Sequence, residues 1–173
     1  IMDQELELPG YVIKSRLDRT DTTDGRGGGI VVYVAHRLTA HEERPEIVAN
    51  VNQCTCVHVT MKSRILKLFT VYRSPNSPSE NNDAVNFLIR NADRDAVFIG
   101  DFNYPTIDWE NMTGKTPQER EFVEAITDKF LTQHVKFPTR KSNLLDLILA
   151  DDGNAIKDVR RVGKLGSSDH DMI

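Results

Sequence analysis

Four apolar residues in unbroken succession, Ala96-Val97-Phe98-Ile99, run into Gly100 and then into Asp101-Phe102-Asn103. So short and continuous a run is the signature of a central strand buried on both faces, which delivers whatever follows it to the end of a sheet. Tyr11 to Arg16, Gly29 to Ala35, Gln53 to Met61 and Arg64 to Tyr72 are β-rich runs separated by Gly-, Pro- or charge-rich breaks, so the first half reads as a strand meander. The period changes over Ser79 to Ala92, where Ala84, Phe87, Leu88 and Ile89 gather toward one helical face and Ser79 is placed to cap it. Thr116-Pro117-Gln118-Glu119 is a second helix start, with Thr at the cap, Pro in the first turn and Glu set to close a capping box, and that helix should run to about Lys129. Leu144 to Ala150 and Ile156 to Val162 read as strands joined by a hairpin-type turn at Asp151-Asp152-Gly153-Asn154, and Asp171-Met172-Ile173 as the opening of another strand.

With 39% hydrophobic and 28% charged residues, the chain of 173 residues has the composition of one soluble globular domain, taken as 1–173. No apolar run approaches the ~20 residues that cross a bilayer, and Ile1-Met2-Asp3-Gln4-Glu5 lacks the pattern of a signal peptide. A non-secreted, nuclear or cytoplasmic protein with no membrane partner is expected. Cys54 and Cys56 agree: alternate residues of a strand point in parallel, cannot easily close a disulfide and should be reduced thiols. The net charge of −4 argues against nucleic-acid binding by bulk electrostatics alone. Its distribution is uneven. Residues 74–128 carry eleven acids against four bases, and residues 129–164 eight bases against four acids, so a stretch suited to a cation precedes one suited to a phosphate backbone.

Asp101 and Asn103, two apart after an apolar strand, can share one substrate, Asp handling a proton while Asn donates to an oxyanion. The same pair can equally be an Asx-turn that closes a strand. Asp169-His170, preceded by Gly166-Ser167-Ser168, offers a cation ligand beside an imidazole that works near neutral pH when a carboxylate fixes its tautomer. Asp146 is the natural carboxylate, because it interrupts Leu144-Leu145-Asp146-Leu147-Ile148-Leu149 and an embedded charge is costly unless paired. The other reading of Asp146 is a structural residue satisfied by backbone donors.

Tyr72 before Arg73-Ser74-Pro75-Asn76, then Gly100-Asp101-Phe102-Asn103, the Asp of Leu-Leu-Asp-Leu-Ile-Leu and Ser168-Asp169-His170 occur in the order and spacing of the endonuclease/exonuclease/phosphatase superfamily, which includes DNase I and exonuclease III. Leu8-Pro9-Gly10-Tyr11, Asp18-Arg19, Gly27-Gly28-Gly29-Ile30, Tyr104-Pro105 through Trp109, Pro138-Thr139-Arg140 and Leu165-Gly166-Ser167 narrow this, and nearly the whole chain resembles the endonuclease domain of non-LTR (LINE-type) retrotransposons.

The resemblance implies an α/β fold, a four-layer α/β/β/α sandwich of two mostly antiparallel sheets. It also implies Mg²⁺-dependent nicking of DNA that leaves a 3′ hydroxyl for a reverse transcriptase domain of the same polyprotein. Asp101 would activate water or assist the leaving group, and Asn103 would orient the phosphate. Asp146 would hold His170 against the scissile phosphate, Asp169 would contribute to the Mg²⁺ site, and Tyr72 would hydrogen-bond the phosphate. The family's Asn on the first strand and Glu after the second fall before the position of Ile1. The resemblance therefore implies a fold incomplete at its N-terminus and clipped at its C-terminus, with a weakened metal site. Two other readings share these residues: another phosphoesterase of the same fold, and an inactive copy that persists as a nucleic-acid- or protein-binding fragment.

Other features point to less. Cys54-x-Cys56-x-His58 puts three zinc-ligating types on one face, but alternate neighbours rarely converge on one ion and no fourth ligand is apparent. Asp24-Gly25-Arg26-Gly27-Gly28-Gly29 lacks the strand, helix and Lys-Ser/Thr of a phosphate cradle and reads as a turn. Trp109 is expected to be a packing plug, and His36, His41 and His134 surface or core residues.

Overall fold

A computed structural model of the chain describes residues 6–18, 29–62, 64–151 and 156–173. Its main sheet has six strands: β3 (Ala40–Glu43), β4 (Cys54–Thr60), β5 (Ile65–Tyr72), β6 (Ala96–Asp101), β7 (Thr132–Gln133) and β8 (Asp146–Ala150). Their order across the sheet is β3-β4-β5-β6-β8-β7. Only β5 and β6 run parallel, joined by helix α1 (Ser79–Asn91), while their neighbours pair antiparallel. β1 (Tyr11–Asp18) and β2 (Gly29–Ala35) form a separate two-stranded sheet, and β9 (Gly163–Lys164) pairs with β10 (Asp171–Met172).

Alternation along the strands divides the core. Cys54, Cys56, Phe69, Val71, Phe98, Leu147 and Leu149 face α1 and α2 (Pro117–Asp128), whose Val85, Leu88, Ile89, Phe122 and Ile126 close one layer. On the opposite face Val57 and Val59, with Leu66 and Leu68, meet Ile30, Val32 and Val34 of the small sheet. Farther along that face Val97, Ile148 and Val135 make a third cluster. Among the described residues, helices, large sheet and second sheet thus stack in three layers, the α/β/β part of the expected sandwich, with both faces of β6 covered. Cys54 and Cys56 are free and buried, and burial pushes both thiols up, Cys56 to about 11. Trp109 packs on the helix-side core.

The capping box forms: the Thr116 hydroxyl accepts from the Glu119 N–H, and Glu119 accepts from the Thr116 N–H. Glu119 is also held by Thr106 and the Lys115 N–H, and these donors outweigh the burial that opposes its charge, so its carboxyl lies below its usual range. The box therefore clamps the loop that leaves β6.

Three expectations need correction. Ser79 does not cap α1; Pro78 occupies the cap position without a side-chain bond, and Ser79 is the first helical residue. Phe87 is 53% exposed, because the buried stripe runs through Asn81, Ala84, Val85, Leu88, Ile89 and Ala92 and position 87 lies well over 90° from its centre at ~100° per residue. The stretch 156–162 is no strand. Its apolar residues Ile156, Val159 and Val162 recur every third position rather than every second, so no sheet face is offered. Ile156 and Val159 instead pack on the third cluster. The turn expected at Asp151 to Asn154 and the glycine run before Gly29 lie outside the described residues, apart from Asp151 itself.

Candidate active site

β5 and β6 end together, and β8 begins beside them. Tyr72 pairs with Asp101, and Asp101 pairs with Asp146 across the antiparallel ladder. Residues opposite one another in a sheet share a face, and this is the face of Leu68, Ile99 and Ile148, turned away from the helices. Gly100 makes the approach possible. Its φ is +151°, and a Cβ there would lie 1.8 Å from the Val71 carbonyl oxygen. Only glycine lets β6 come this close to β5 while presenting Asp101 next to Tyr72.

His170 comes from the segment between β9 and β10 and is docked by Thr139 and Arg140. The Thr139 carbonyl accepts from the Asp171 N–H at 2.7 Å, and Arg140 forms a bridge with His170. Thr139 is fully buried, and its hydroxyl accepts from the N–H groups of Leu145 (3.1 Å) and Asp146 (3.0 Å). One residue thus ties the start of β8 to the segment that carries the imidazole.

One ligating atom from each of Asp101, Asp146 and His170 lies within 4.8 Å of the others. His170 Nδ1 is 2.8 Å from Asp146 Oδ2, and its Nε2 is 4.0 Å from Asp101 Oδ2. With Nδ1 donating to Asp146, Nε2 is turned to Asp101 across a gap too long for a direct bond but suited to one shared oxygen atom. Asp101 is pushed up to about 6, first by burial and then by the Asp146 charge, against the pull of His170 and of the Asn103 N–H. A carboxylate poised there can take a proton near neutral pH.

Asn103 is buried, with φ at +50°. Its N–H donates to Asp101 Oδ1 at 3.1 Å, the Asx-turn geometry, and its side-chain amide donates to the Arg73 carbonyl at 2.8 Å. Asp169 stands apart from the convergent group: its exposed carboxylate accepts from Arg140 Nε at 2.7 Å, and that guanidinium holds it below the usual range.

Arg73 was not singled out from the sequence. The residue is 5% exposed, and its guanidinium donates to Asn82 Oδ1 and to the carbonyls of Phe102 and Asn103 and lies 3.9 Å over the Tyr104 ring. With the Arg73 N–H donating to the Asp101 carbonyl, the Asp101-Phe102-Asn103 turn is held from both ends. The available signal was the one used for Asp146, a charge at the edge of an apolar strand that demands partners. Thr139 and Arg140 carry no such charge signal and are marked only by the Pro138-Thr139-Arg140 segment of the family resemblance.

Residues 66–173, more than half of the chain, match the family described as endonuclease-reverse transcriptase. Among solved structures, the endonuclease domain of TRAS1, a telomere-specific non-LTR retrotransposon, superposes with a TM-score of 0.70 at 17% identity, over 95% of this chain and 76% of that one. Comparison with curated proteins gives no match. The matched segment contains every residue of the site, and the sandwich around it is the DNase I-like one. The chain belongs to the endonuclease-reverse transcriptase family of the endonuclease/exonuclease/phosphatase superfamily.

Proposed function

We propose that the chain hydrolyses a phosphodiester in one strand of DNA, leaving a 3′ hydroxyl, with Asp101, Asp146 and His170 at the reacting phosphate. The observation that carries this reading is the convergence itself: an imidazole held by one carboxylate faces a second carboxylate, pushed up to about 6, across a gap of 4.0 Å. Asp101 takes the proton from the attacking water or delivers one to the leaving oxygen. Asp146 accepts from His170 Nδ1–H, and His170 protonated on both nitrogens donates its Nε2–H to a phosphoryl oxygen. Asn103 and Tyr72 flank Asp101 and orient the phosphate.

The donor set fits a hard divalent cation, because two carboxylates crowd together at a place where burial first, and then the Asp146 charge, push Asp101 up. Asp101 and Asp146 would hold Mg²⁺, with Asp169 joining by exchanging Arg140 for the ion. When bound, such an ion neutralises charge on the phosphoryl oxygens. The 3′ hydroxyl would prime a reverse transcriptase domain of the same polyprotein, and such a protein would work in the nucleus or the cytoplasm. No helix among the described residues is long and apolar enough to cross a membrane.

The test is nicking of supercoiled plasmid with and without Mg²⁺. The wild-type chain should convert plasmid to the open circle only with the metal. Asp101→Ala and His170→Ala should each slow it by about 10² or more, the scale of lost acid–base catalysis. A wild type no faster than both variants sinks the enzyme reading, and DNA retention without nicking would favour a binding fragment.

A further inference from the structure

His58 has ligand-type neighbours that the Cys54-x-Cys56-x-His58 pattern does not reveal. They come from the edge of the sheet. On β3, His41 and Glu43 are alternate residues and share a face, and His41 lies opposite His58 of β4. His41 Nε2 is 3.1 Å from Glu43 Oε1, and the His41 and His58 rings meet edge to face with centroids 5.4 Å apart. One ligating atom from each of the three lies within 4.8 Å of the others. This group shares no residue with the site at Asp101.

We propose that His41, Glu43 and His58 bind one zinc ion, which clasps the edge strand β3 to β4. Two ligand atoms on a tetrahedral zinc, each ~2.0–2.1 Å from the metal, are about 3.3 Å apart, so the His41–Glu43 pair already has the right separation. The proton that now joins them is what the metal replaces. His58 completes the set by a side-chain rotation that its half-buried position permits.

The surrounding charges allow a cation. Lys67, opposite His58 on β5, is engaged by Asp93, and the Glu43 carboxylate, held by His41, is the negative charge beside the two imidazoles. Two imidazoles and one carboxylate suit a borderline ion such as Zn²⁺, whereas Mg²⁺ prefers all-oxygen ligands. His41 and Glu43 are about half exposed, so water can fill the fourth position. The clasp would add to the bond from Ser15 to Glu42, which ties β1 to the same edge strand.

The experiment is calorimetric titration of the whole chain with Zn²⁺ in excess Mg²⁺, followed by histidine ring NMR. One zinc per chain is expected, with the His41 and His58 resonances shifting together. Affinity should fall about tenfold or more in His58→Ala and in His41→Ala, and His170→Ala should leave it unchanged. All three histidines lie at least partly at the surface, and the far-UV spectrum of each variant establishes that it folds. Zinc binding that survives His58→Ala, that disappears with His170→Ala, or that is absent from the wild type overturns the assignment.

Discussion

Asp101 shows how a site residue opposes the fold that carries it. Its carboxyl titrates at about 6 in the folded chain against an ordinary value of 3.8. The fold therefore favours the protonated form: that contribution is complete below about pH 4 and is lost as pH rises through about 6. Above that range an ionised Asp101 costs up to about 3 kcal/mol, taking ~1.4 kcal/mol per unit. Asp101→Asn keeps an acceptor for the Asn103 N–H and removes the charge. It should raise stability to urea at pH 7.5 without divalent ions by about 1–3 kcal/mol, and the gain should vanish near pH 3.5. Equal unfolding midpoints at pH 7.5 would show that the charge is not strained. Much at this scale was legible, because a carboxylate in an apolar run announces a need for partners, as Asp146 did. Arg140's hold on Asp169 was not legible, since only the folded chain brings two exposed residues from different segments together.

At the scale of elements, the site rests on the closeness of β5 and β6. Gly100→Ala would drive a methyl group into the Val71 carbonyl, and because the obstacle is backbone, the two strands must part. A loss of about 3 kcal/mol or more is expected on denaturant unfolding, well beyond an ordinary glycine-to-alanine change; a loss below 1 kcal/mol would mean that the strands separate freely. β2, β4, β5, β6 and α2 were readable because each is long or capped, with a clear apolar pattern. β3 was not: Ala-His-Glu-Glu has no strand signature of its own, and pairing with β4 imposes its conformation. The stretch 156–162 failed the other way, rich in valine and isoleucine but spaced by three. At α1, Phe87 shows that apolar character alone does not assign a residue to the buried face.

At the scale of the molecule, the two sheets are not equal partners. Among the described residues β1 and β2 hydrogen-bond to each other and meet the large sheet through a side-chain cluster and the Ser15–Glu42 bond, whereas β6 is paired on both edges and covered on both faces. Hydrogen exchange should find β1 and β2 amides opening at a lower free energy than those of β6. Equal protection would mean that the two sheets unfold as one unit. The tie made by Thr139 bears on the order of folding. It joins the start of β8 to the segment around Asp171, so the carboxylates of Asp101 and Asp146 can be in place while their imidazole is still absent. A chain in which the sheet forms before that segment docks would hold the two carboxylates without their imidazole, and capture of His170 by Asp146 at 2.8 Å, between residues 24 apart, would then follow it. Recovery of cleavage on refolding would then report the last event of folding, not the formation of its core.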